Sequence, residues 1–122
     1  MAKVFKLIKI PIYEGEFCVS IGQTNEEFAK SMRRSGASIE IINDNFFKDN
    51  DLLLAYNYIL GSGLPILIRF KETRPSERTI AHEIFHFTCR YLSFKGLKLS
   101  SSSEEAYAYF NDWLTGEIYK LL

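Results

Sequence analysis

Both histidines of this chain fall in one five-residue window, His82-Glu83-Ile84-Phe85-His86. On a helix, residues four apart share a face, so the two imidazoles can grip one metal ion together. A glutamate directly after the first histidine can take a proton from a water that the metal polarises. These residue types at this spacing predict the core of a zinc hydrolase, with Zn2+ on His82 and His86 and with Glu83 as general base. A catalytic zinc site takes three protein ligands and leaves one position for water. With no third histidine, the third ligand must be a carboxylate or a cysteine. Cys89 comes three residues after His86, near the same face. On one straight helix, however, residues 82, 86 and 89 span about 10 Å, too far for three bonds of about 2 Å to one ion. Cys89 is therefore expected as a small buried side chain.

Periodicity and turn chemistry predict the elements that must position this motif. Val4, Leu7, Ile10 and Ile12 predict a half-buried strand, Tyr13-Glu14-Gly15-Glu16 a turn, and Phe17 to Ile21 a second strand, together a hairpin. Thr24-Asn25-Glu26-Glu27 has the spacing of a capping box and opens a short helix through about Arg34, closed by Ser35-Gly36. Ser38 to Ile42 reads as a strand and Asn43-Asp44-Asn45 as a turn. Leu52 to Leu60 is apolar on nearly every side and reads as a buried helix, broken by Gly61-Ser62-Gly63. Leu64 to Phe70 reads as a strand, with Pro65 pointing to an edge position. The motif helix should run from Ser76 or Glu77 to about Leu92, and a final amphipathic helix from Glu104 to Leu121. The serine run 100–103 lies where that last helix needs a cap; Ser101 with Glu104 and Ser102 with Glu105 both have capping-box spacing.

The start of the final helix, Glu105-Ala106-Tyr107-Ala108-Tyr109, resembles the second motif of thermolysin-like zincins, the gluzincins. Their third ligand is an acidic residue at the start of the helix after the metal helix. The resemblance covers about Thr79 to Trp113 and is greatest to very small members, including the ImmA/IrrE-like metallopeptidases and short zincin-like proteins of bacteria and phages. It implies Glu105 as the third ligand, with Glu104 as the alternative. Tyr109 stands where the family carries an acidic residue behind a metal-bound histidine; Asp112 or a backbone carbonyl would serve instead. Tyr107 and Tyr109 flank the implied ligand and are the tyrosines expected to donate to an oxyanion. Arg78, one turn before His82, is expected in solvent, with a substrate carboxylate as its other reading. In such families an edge strand ahead of the metal helix holds an extended peptide by strand addition, and Leu64 to Phe70 is the segment expected to do so. Cys18 resembles the cysteine ligand of peptide deformylases only in part, because the glycine is displaced and position 85 is phenylalanine.

Composition narrows the setting. The 122 residues predict one domain, and 47% apolar residues are enough for a core. The 15 basic and 15 acidic residues cancel, which argues against a nucleic-acid partner. Two distant cysteines make no disulfide framework, the N-terminus alternates apolar and charged residues unlike a signal peptide, and no apolar run approaches the roughly 20 residues needed to span a membrane. A cytoplasmic protein is expected. The fold expected is α+β, a small, mostly antiparallel sheet packed on helices, zincin-like, with the last two helices building the metal site. The activity expected is zinc-assisted hydrolysis of an amide bond in a peptide or protein substrate. Two other readings remain open: a zinc-binding regulatory protein of zincin fold without peptidase activity, and a metal-free interaction domain.

Overall fold

The computed structural model describes residues 3–36 and 54–122. Within them the chain is α+β, with four strands in one mixed sheet and three helices. The strands are β1 (Val4–Lys9), β2 (Glu16–Ile21), β3 (Ala55–Ile59) and β4 (Pro65–Phe70). The helices are α1 (Asn25–Arg34), α2 (Glu77–Phe94) and α3 (Glu104–Tyr119). The expected strand at 38–42 and turn at 43–45 lie outside the described residues. No helix among the described residues is long and apolar enough to cross a membrane.

The sheet order is β1-β2-β4-β3. β1 and β2 form the predicted antiparallel hairpin, β4 pairs with β3 antiparallel, and the central β2–β4 pair is parallel. The sheet is thus mixed, against the expectation of a mostly antiparallel one. The reason is connectivity: α1 separates β2 from the β3–β4 hairpin along the chain, so the two hairpins join through strands that run the same way. Two further expectations are corrected. Ala55 to Ile59, read as part of a buried helix, is strand β3; its pairing with β4 supplies backbone partners that local apolarity does not reveal. The strand 64–70 is internal, and β1 and β3 form the two edges of the described sheet. Pro65 is tolerated because it sits at the first residue of β4, beside a register shift at Tyr58/Ile59.

Alternation along the strands divides two apolar clusters. Phe17, Val19, Ile21, Ile68 and Phe70 face one side and pack with Ile80, Ile84, Phe87 and Tyr91 of α2 and Phe110, Leu114 and Ile118 of α3. The rings of Phe17 and Phe87 lie 4.5 Å apart, and Phe87, Tyr91 and Phe110 stack in near-parallel planes. Truncating such a ring costs about 3–5 kcal/mol. Cys18 and Leu67 face the other side and pack with Phe28, Ala29 and Met32 of α1.

The capping box that opens α1 is formed: the Glu27 N–H donates to Thr24 Oγ1 at 3.1 Å, and the Thr24 N–H to Glu27 Oε1 at 2.8 Å. The corresponding expectation for α3 fails. Ser103 is the N-cap but makes no side-chain cap bond; its hydroxyl donates instead to the Lys98 carbonyl at 2.5 Å and tethers the α2–α3 link. The β1–β2 turn places Ile12 and Glu14 in the left-handed region, with φ of 68° and 60°. Tyr91 of α2 anchors that turn by donating to the Glu14 carbonyl at 2.5 Å. At the other end of β2, Gly22 has φ +73°, and a Cβ there would lie 2.6 Å from Thr73 Cγ2. That close approach sets the loop from which α2 departs.

Candidate functional site

Helix α2 is started by Ser76, whose hydroxyl accepts from the Thr79 N–H at 3.1 Å. Ile80, Ile84, Phe87 and Tyr91 repeat at helical spacing and bury one face on the sheet. The opposite face must then carry His82 and His86 outward. His82 is exposed and His86 half-buried. Their Nε2 atoms lie 3.1 Å apart, with the rings edge-on at 81°. Zinc–nitrogen bonds of about 2.0–2.1 Å at a tetrahedral angle hold two nitrogens roughly 3.3 Å apart. The pair therefore fits two corners of a tetrahedral zinc site. Without an ion, one imidazole donates to the other, according to tautomer.

Glu83 comes one residue on and turns about 100° around the helix. This brings it against the edge strand, where it is 7% exposed. Ala55, Asn57 and Ile59 are alternate residues of β3, on the side that faces α2. Asn57 Nδ2 donates to Glu83 Oε1 at 2.8 Å and to the Glu83 carbonyl at 3.2 Å. Asn57 Oδ1 is buried and has no hydrogen-bond partner among the described residues. One amide thus fixes both the backbone and one carboxylate oxygen of the motif glutamate. Sequence reasoning misses Asn57 because the apolar run around it reads as a helix. The available signal is a polar residue in phase with Ala55 and Ile59 in a strand pattern.

The other candidates are not gathered around the pair. Among the described residues, no three His, Cys, Asp or Glu side chains are grouped so as to hold a metal ion. Glu105 and Glu104 are both exposed in the first turn of α3. Tyr107 is buried and its hydroxyl donates to the Leu97 carbonyl at 2.5 Å, which ties it to the α2–α3 link. Tyr109 is 71% exposed and lines an apolar groove with Ile12 and Trp113. Arg78 is exposed, as expected. Cys18 belongs to the α1 side of the sheet, away from α2, and burial, with Glu16 nearby, pushes its thiol up to about 11. Cys89 is half-buried, and burial raises its thiol against the opposing charge of Arg90.

Two cavities flank α2. One, of about 440 Å³, lies between α2 and α3, walled by Phe85, Thr88, Tyr107 and Asn111, with Glu104 and Asp112 at its lining. The other, of about 510 Å³, lies between the second half of α2 and the β3–β4 turn, walled by Ile59, Ser62, Cys89, Arg90, Ser93 and Phe94. Set against known proteins, the chain matches no family model, no curated protein and no solved structure.

Proposed function

We propose that this chain is a zinc-dependent hydrolase of peptide bonds, with His82 and His86 as paired metal ligands and Glu83 as the base. The observation that carries this reading is the convergence of two Nε2 atoms to 3.1 Å beside a buried carboxylate that the sheet edge holds in place. Bound there, zinc would supply Lewis-acid polarisation of the scissile carbonyl and of a water. The chain's own groups do the remaining work. Asn57 occupies Oε1 of Glu83 and stops the carboxylate from swinging away. The second oxygen of Glu83 accepts a proton from the attacking water and returns it to the leaving amine. The apolar face of α2 keeps the helix rigid on the sheet, so the three motif side chains stay in register.

Glu105 is the third ligand in this proposal. Its carboxylate is exposed at the start of α3, so metal loading has to draw that side chain toward the histidines. Zinc per chain in protein purified without added metal is the test. Near one zinc in the wild type, lost in His86→Ala and weakened in Glu105→Ala but not in Glu104→Ala, supports the assignment; no zinc in the wild type removes it.

A second reading is favoured by one observation, the burial of Glu83 against Asn57. Here the chain is a zinc-binding regulatory or interaction protein, and Glu83 only locks α2 to β3. Zinc bound stoichiometrically without turnover of any peptide in a substrate library would select it.

A further inference from the structure

His82, His86, Cys89 and Ser93 are spaced i, i+4, i+7 and i+11, which places them in one stripe along α2. The cavity of about 510 Å³ continues this stripe beyond the histidine pair. Its apolar walls are Ile59 at the end of the edge strand and Phe94 at the end of α2. Asn57 meets Glu83, and two residues further along β3 Ile59 lines the cavity with Cys89 and Arg90. Strand and helix therefore advance in the same direction, from the Asn57–Glu83 contact toward the cavity. Burial holds the Cys89 thiol up, so it is protonated at neutral pH. That leaves Arg90 as the only charge among the described residues of the lining. Arg90 forms no ion pair or hydrogen bond among the described residues.

We propose that this cavity receives the free C-terminal carboxylate of a peptide on the Arg90 guanidinium, with the apolar side chain of its last residue between Ile59 and Phe94. A guanidinium presents paired donors that match a carboxylate, and apolar walls strengthen that contact. The spacing agrees. Arg90 lies one turn beyond His86, about 6 Å along the axis, while a peptide residue spans about 3.8 Å. One or two residues then separate a carbonyl at the histidine pair from a carboxylate at Arg90. Resting on the hydrolase reading, this makes the substrate a peptide cut near its free C-terminus.

The test is a titration of the full chain with N-acetyl-phenylalanyl-leucine and with its C-terminal amide, monitored by 1H–15N NMR. It is run with and without zinc, on wild type, Arg90→Gln and Arg90→Lys. The acid is expected to bind on the order of 10-fold tighter than the amide, as a charge-assisted pair provides. The resonances of Ser62, Arg90 and Ser93 should move. The preference should vanish in Arg90→Gln and return in part in Arg90→Lys, with melting unchanged because Arg90 is exposed. Equal binding of acid and amide, or a preference that survives Arg90→Gln, overturns the proposal. Zinc bound by the wild type and lost in His86→Ala, with acid and amide alike, removes the carboxylate site and leaves the hydrolase reading. A 10-fold preference without zinc binding keeps the carboxylate site and removes the hydrolase.

Discussion

On the α1 side of the sheet Arg69 is 1% exposed; on the α2 side Glu83 is 7% exposed. Both are buried ionisable side chains, but they are satisfied differently. Arg69 donates to three neutral oxygens, the Tyr56 hydroxyl at 3.2 Å, the Gln23 carbonyl at 3.1 Å and Asn25 Oδ1 at 2.9 Å. Its guanidinium also lies 4.5 Å over the Phe28 ring. It staples β4 to the start of α1, a structural task for a delocalised charge. Glu83 has one side-chain partner among the described residues, Asn57, and its helix turns the histidines outward. Burial of a charge is thus no mark of chemistry by itself. A carboxylate held by one oxygen, on the helix that turns two imidazoles outward, is the arrangement that the proposed chemistry would need.

The contrast predicts opposite responses to substitution. Arg69→Ala removes three hydrogen bonds and leaves a void under Phe28, and should lower unfolding free energy by about 3–4 kcal/mol in urea titration. Arg69→Met, which refills the volume, should recover part of it. A loss below about 1 kcal/mol in Arg69→Ala would erase the distinction between the two sides. Glu83→Gln should do the reverse. Its amide oxygen still accepts from Asn57, so stability should stay within about 1 kcal/mol. Zinc content should hold while peptide turnover falls at least about 100-fold. Asn57→Leu comes next, with a loss of about 1–2 kcal/mol and a fall in kcat larger than any change in KM, since it frees the carboxylate without touching a ligand.

The cysteines give the smallest effect. Cys18, on the Arg69 side, has its thiol pushed to about 11, above its ordinary value of 9.0, while Cys89 lies half-buried beside Arg90. A raised thiol favours the folded state while protonated. That contribution is intact below about pH 9 and is lost as pH rises through about 11. Alkylation read by mass against pH should mark Cys89 first and Cys18 only near that upper value; equal rates at pH 8 would contradict the burial of Cys18.

Much of this arrangement is legible in residue order. The β1–β2 hairpin, the Thr24/Glu27 box of α1 and helices α2 and α3 come from alternation, capping spacing and helical apolar repeats, all local properties. The histidine pair is legible for the same reason, because i and i+4 meet on any helix. The failures are non-local. Ala55 to Ile59 carries no local sign of choosing sheet over helix, since its backbone partners lie across a turn in β4. The parallel β2–β4 pair joins segments more than 40 residues apart in sequence, and no periodicity encodes it. The serine cap fails because Ser103 finds a carbonyl five residues back, a contact set by the path of the link.

Sequence alone therefore determined which side chains could do chemistry and that one helix would carry them, because helix geometry makes neighbours of residues at fixed spacing. Tertiary structure alone decided what meets that helix. It chose β3 as an edge, brought Asn57 onto Glu83, left Glu105 in solvent and opened a cavity at Arg90. The physical reason is that strand pairing and packing are settled by the whole core at once, and each of these contacts joins residues that only that core brings together.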